Sequence, residues 1–192
     1  ILAAVERVRA ANPKALYCCD PVIGDVGRGV FVRPGIPEFF RDRALALADI
    51  VTPNQFELEW LTGGPVATLA AAKAAVAALQ ARGPRCVLVT SLGTAETPPD
   101  SLDLLAAEGG GAWRLRTPLL PISVNGAGDA IAALFLFHRL RSGSARIALE
   151  QAAASIHGLL RLTAAAGSRE LLTVAAQEEF VAPGQLFQAE PC

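Results

Sequence analysis

"VNGAGDAIAALFL", residues 124–136, decides how the rest of the chain is read. Two glycines flank Ala127, Asp129 follows at once, and an apolar run then begins. The run predicts a buried helix, and a carboxylate in a first helical turn is favoured by the helix dipole. Gly126 and Gly128 strip side chains from the turn that feeds this helix, so its backbone N–H groups can face an anion. On these residues alone two readings stand open: an anion hole with Asp129 as base, or an ordinary glycine-rich helix start. The dinucleotide-binding fingerprint does not fit, because the third glycine position holds Ile131 and no clean strand feeds the turn. No G-x-x-x-x-G-K-S/T occurs, which sets aside the phosphate-loop ATPases.

Working outward, the spacing predicts an alternation of strands and helices. Residues 1–11 read as a helix, "KALYCCD" as a short buried strand ending at Asp20, and "PVIGDVGRGVFVRPG" as a loop with room for a short hairpin. "IPEFFRDRALALA" returns to helical spacing. "DIVTPN" is a second strand, with Asn54 placed to cap the helix "QFELEWL". "TLAAAKAAVAALQARG" is a helix with Gly83 as its stop, and "RCVLVTSLG" is a third strand, apolar enough to be covered on both faces. "SLDLLAAEGGGAWRLRT" reads as a hairpin, two long helices follow, and "TVAAQEEFV" is expected to close the chain as a shorter helix. Strand–helix alternation implies right-handed crossovers and a mainly parallel sheet. Ligands of such sheets gather at the carboxyl ends of the strands. That rule brings together Asp20 and Asp25, then Thr52, Asn54 and Glu57, then Thr90 and Ser91, and lets Gly126–Asp129 join them.

Each group has a plain alternative. Asn54 and Glu57, three apart at a helix start, fit either a Mg²⁺ held partly through water or a capping box. Asp20 and Asp25 could share a cation or orient phosphates, or could simply make turns. The hydroxyls of Thr90 and Ser91 suit a nucleotide phosphate, but are common at strand ends. His138 and His157 are expected inside helices as structural residues, and Trp60 and Trp113 as packing. Taken together, an anion-binding turn, a base, a Mg²⁺-capable acid and hydroxyl donors on one sheet edge are the equipment of phosphoryl transfer.

Composition narrows the partners. The 192 residues are 52% apolar with a net charge of -1, enough for the core of one domain or of one large part of one. No Lys/Arg cluster appears, so nucleic acid and anionic membranes are poor partners. The apolar run "AIAALFLF" ends at His138, too short to span a bilayer, and no signal-peptide pattern is visible. Cys18, Cys19, Cys86 and Cys192 include no C-x-x-C pair, so a zinc site is not expected and buried reduced thiols in a cytoplasmic protein are. Met is absent, and residue 1 already lies in the body of an amphipathic helix with no cap before it. The expectation is a fragment lacking its N-terminal part.

The order "CDPVIGD", "DIVTPNQFELEWLTG", "VLVTS", "NGAGDAIAALFL" resembles the ribokinase-like superfamily, and more narrowly its pyridoxal kinases. The resemblance runs from about Tyr17 to the end. It implies a three-layer α/β/α sandwich, with residues 1–192 as the C-terminal, nucleotide-binding part of one kinase domain. It implies transfer of the γ-phosphoryl of ATP to the 5′-hydroxymethyl of pyridoxal. Asp129 then matches the family's base beside the substrate hydroxyl, and Gly126, Ala127 and Gly128 its anion hole. Asp20, Thr52, Asn54, Glu57, Thr90 and Ser91 match nucleotide-side positions, and Thr117, Pro118, Leu119 and Leu120 a loop beside the nucleotide. Asp25 and Glu57 match acidic positions near Mg²⁺. Phe31 falls where some relatives carry a tyrosine over the substrate ring. A monovalent cation and a homodimer are further implications. The alternatives are a hydroxymethylpyrimidine or sugar kinase of the same fold, or a nucleotide-binding remnant without activity.

Overall fold

A computed structural model describes residues 1–192. Helix α1 (Leu2–Ala11) leads into strand β1 (Cys18–Cys19) and a small hairpin, β2 (Gly24–Asp25) with β3 (Gly29–Val30). A short helix α2 (Ile36–Phe39) runs on through a wide π turn to Ala44 and a tight turn to Leu47 before strand β4 (Ile50–Val51). Helices α3 (Gln55–Thr62) and α4 (Leu69–Gln80), then strands β5 (Cys86–Leu92), β6 (Ser101–Glu108) and β7 (Gly111–Pro118), complete the middle of the chain. Helices α5 (Ala127–Ser142) and α6 (Ala145–Ala165) follow, and strand β8 (Glu190–Pro191) ends it.

The strands form a six-stranded sheet in the order β1-β4-β5-β6-β7-β8. β1, β4 and β5 are parallel neighbours, whereas β6, β7 and β8 each pair antiparallel with the strand before. Those pairings point β1, β4, β5 and β7 one way and only β6 and β8 the other. Successive side chains of a strand face opposite sides, and each face has its own core. Cys19, Val51, Val87, Val89 and Leu105 pack with α3 and α4. Ile50, Cys86, Leu88, Leu104 and Leu115 pack with α5 and α6. This is the expected three-layer sandwich. The adjacent cysteines divide as the strand pleat requires, Cys19 into the first core and Cys18 against the second.

Local chemistry sets most boundaries. Asn54 caps α3 and Glu57 reaches back to complete a capping box, while Gly63 ends the helix with φ 80°. Thr68 and Ser144 cap α4 and α6 through their hydroxyls.

Four expectations need correction. "IPEFFRDRALALA" is not one helix, because the segment widens at Phe40–Ala44 while both Phe39 and Phe40 pack against the α3–α4 core. "TVAAQEEFV" winds only one 3₁₀ turn, Gln177–Phe180; Glu179 is drawn to the Gly184 N–H at 2.8 Å, and Pro183 blocks any continuation. Cys192 is exposed, unlike the other three thiols. Gly83 lies beyond the helix end at Gln80 and serves close approach instead: a Cβ there would sit 2.6 Å from the Leu45 carbonyl, at φ 150°. Gly83→Ala is therefore expected to cost about 1–3 kcal/mol, read as a lower urea midpoint at unchanged slope.

Candidate active site

The site begins where β1 and β4 end. Asp20 follows β1, and its Oδ1 accepts the Thr52 hydroxyl at 2.9 Å. Glu57 is 4% exposed, yet carries a carboxylate between two elements: Oε2 accepts the Asn54 N–H at 2.8 Å and Oε1 accepts the Ile23 N–H at 2.9 Å. Asn54 answers by donating from Nδ2 to the Gly24 carbonyl at 2.8 Å. Thr52, Asn54 and Glu57 thus hold the Asp20–Asp25 loop in place, and the capping box expected as one alternative is formed. Asp25 accepts the Val26 N–H within its own hairpin and borders the cavity described next.

A cavity of about 380 Å³ lies at this edge. Asp25, Thr90, Ser91, Thr117, Pro118, Leu119, Leu120, Ala127 and Gly128 line it, whereas Asp20, Thr52, Asn54, Glu57, Gly126 and Asp129 are not among its lining residues. Thr117–Leu120 arrive there because β7, two antiparallel steps from β5, ends on the same side of the sheet. Ser91 is the only non-glycine residue with positive φ, 51°, at an irregularity in the β5–β6 ladder. Such a conformation costs energy and concentrates at functional sites.

Gly126 opens α5 with φ 86°, and no side chain caps the helix. A Cβ at Gly128 would meet nothing within 4 Å, so the turn is open. The first N–H groups of a helix have no partner within it. α3, α4 and α6 each cover theirs with a capping side chain, whereas α5, like α1 and α2, has none. Asp129 stands exposed in this first turn. Its charge reaches Asp20, whose pKa is raised first by burial, lowered by the Thr52 hydroxyl, and raised again by Asp129.

Phe31 is not brought to the cavity. It is half-exposed, with the Arg28 guanidinium 5.1 Å from its ring centroid. The sequence reading missed His157, Leu102 and Ile122–Val124, which also line the cavity. It also missed the pairing of Asn125 with Glu170, which ties the glycine turn to the segment after α6. Counting strand directions through the hairpin would have placed Leu102; nothing local marked Glu170.

The phosphomethylpyrimidine kinase family profile matches residues 1–173. The chain belongs to that family. It is 66% identical to the pyridoxal kinase of Granulibacter bethesdensis over all of its own length and 68% of that protein's. It is 56% identical to the pyridoxal kinase of Deinococcus radiodurans, covering 99% of this chain and 66% of the relative. Among solved structures, pyridoxal kinase from Leishmania donovani in complex with ADP and pyridoxamine superposes with a TM-score of 0.87 at 27% identity, covering 99% of this chain and 68% of that one. The chain thus spans about two thirds of the length of these relatives. No helix of this family member is long and apolar enough to cross a membrane.

Burial pushes the Glu57 pKa up to about 7, against the opposing pull of the Ile23, Asn54 and Gly24 N–H groups. The folded chain therefore keeps this proton at pH values where the unfolded chain has released it. Its contribution to stability is full below about pH 4.5 and is lost as pH rises through about 7. Asp20 shifts in the same direction. Tm is expected to fall between pH 5 and pH 8, and Glu57→Gln to lower Tm overall while flattening that slope.

Proposed function

We propose that the chain is the nucleotide- and phosphoryl-handling part of a kinase that transfers the γ-phosphoryl of ATP to the 5′-hydroxymethyl of pyridoxal. The uncapped, open first turn of α5 with Asp129 inside it carries this reading. The names of the relatives, pyridoxal kinases at 66% and 56% identity, supply the acceptor.

Phosphoryl transfer asks a protein mainly for positioning and charge stabilisation. Ala127 and Gly128 line the cavity at the positive end of α5, and their N–H groups would steady the equatorial oxygens of the group in flight. Asp129 orients the acceptor hydroxyl and takes its proton late, when the bond to the leaving phosphate is already loosened. Thr90, Ser91 and Thr117–Leu120 form the nucleotide side of the same cavity.

Mg²⁺ fits this donor set through phosphate rather than through a protein cage. No group of three or more His, Cys, Asp or Glu could hold a metal unaided. Mg²⁺ needs only one or two carboxylates beside phosphate and water. Asp20 keeps Oδ2 uncommitted while Oδ1 is held by Thr52. Both Glu57 oxygens are engaged by backbone amides, so it would act through water. When bound, Mg²⁺ neutralises charge on the phosphates. A homodimer and a monovalent cation remain part of the proposal by family resemblance.

Asp129→Asn, assayed in a chain of the relatives' full length, should leave ADP affinity nearly unchanged and lower kcat by at least about a hundredfold. Rates within tenfold of the parent would remove Asp129 from the role. Pyridoxal should be phosphorylated with a higher kcat/KM than hydroxymethylpyrimidine, and chelation of Mg²⁺ should abolish turnover of both.

A further inference from the structure

Thr90 and Ser91 are neighbours in sequence, yet both line the cavity. In a regular strand they would lie on opposite faces of the sheet. The two-residue period of β5 breaks at this point. Val87 and Val89 pack in the core beside α3 and α4, and so does Leu92, which an unbroken period would turn to the other side. The pairing shows why. Val89 lies opposite Leu105 and Leu92 opposite Asp103, so two residues of β5, Thr90 and Ser91, stand against Leu104 alone. Such a β-bulge re-aims side chains, often next to an active site. The φ of 51° at Ser91 belongs to it.

A buried charge lies behind the bulge. Leu102 and Leu104 line the cavity, so Asp103 between them belongs to the opposite face, the one that Leu105 and Ala107 turn to the α3–α4 core. Asp103 is 1% exposed and is the residue at which β6 resumes its pairing with β5. Arg116, directly opposite on β7, holds both carboxylate oxygens, Nε donating to Oδ1 at 2.7 Å and Nη2 to Oδ2 at 2.8 Å. The same Nη2 donates to the Glu96 carbonyl at 2.9 Å, and the Thr97 hydroxyl donates to Oδ2 at 2.8 Å. The connection from β5 to β6 is thereby tied to the row of residues just past the bulge. A buried carboxylate needs such partners, and removing one leaves it uncompensated. We propose that Asp103 and Arg116 are positioning residues: from the far side of the sheet, their ion pair locks the bulge that brings Thr90 and Ser91 to the cavity together. The proposal rests on the reading of Thr90 and Ser91 as nucleotide-side residues.

The bulge and the ligand are read separately, in the parent chain and in Asp103→Asn, which keeps the shape of the side chain but not its charge. Well below the melting temperature of either, the Ser91 Cα and Cβ resonances, which report backbone conformation, should move toward ordinary strand values. ADP, followed by calorimetry so that no turnover is needed, should bind about five- to tenfold more weakly. Arg116→Lys keeps the positive charge without the planar fork, and should shift both readings the same way, with ADP about two- to threefold weaker. A variant that only melts earlier, with Ser91 resonances and ADP affinity as in the parent, overturns the proposal. So does either reading moving without the other. If Asp103→Asn does not fold, Arg116→Lys decides by the same two readings. A parent that binds ADP but never phosphorylates pyridoxal refutes the proposed function and leaves Asp103 and Arg116 to be judged by these readings. A parent that does not bind ADP refutes both.

Discussion

The carboxylate of Glu57 is the contact on which the rest of the site depends. Its two oxygens join the start of α3 to the loop that follows β1, one accepting from Asn54 and the other from Ile23. Neither partner lies on the same element as the other, so losing the carboxylate would free the helix start and the Asp20–Asp25 loop together. Burying it is costly, and burial is why its pKa rises to about 7. Asp20, in the loop so held, feels the charge of Asp129. Acids that a linear reading offers as equivalent candidates thus divide: Glu57 holds the framework, and Asp129 stands exposed.

α5 follows the opposite logic. Three of the six α-helices spend a side chain on their first amides; α5, like α1 and α2, does not. The open glycine turn leaves exposed donors at the positive end of a sixteen-residue helix. The helix end thus lies open at an edge where four strands point the same way.

Much of this was legible in the sequence, for identifiable reasons. The layers follow from strand–helix alternation, and the two cores from the two-residue period of β5 and β6. The cap at Asn54 is local chemistry. The glycine turn announced itself because glycine, acid and apolar run are contiguous. What escaped the reading depends on distant contacts. The break in the helix after Ile36, the collapse of the segment before Pro183 and the place of Phe31 are set by packing between elements. His157 sits at a helix position that periodicity labels as core; only the folded chain shows that it borders the cavity. The alternatives for Glu57 could not be separated from spacing, because a capping box and a metal ligand require the same residues three apart.

The pairing of Asn125 with Glu170 has a mechanical side. The residue just before the glycine turn pairs with Glu170 beyond α6, and Leu171 lies 3.7 Å from where a Cβ on Gly126 would be. A displacement of the segment after α6 would therefore carry Asn125 with it. Such a linkage makes the segment after α6 a handle on the glycine turn, held through backbone pairing rather than a side chain.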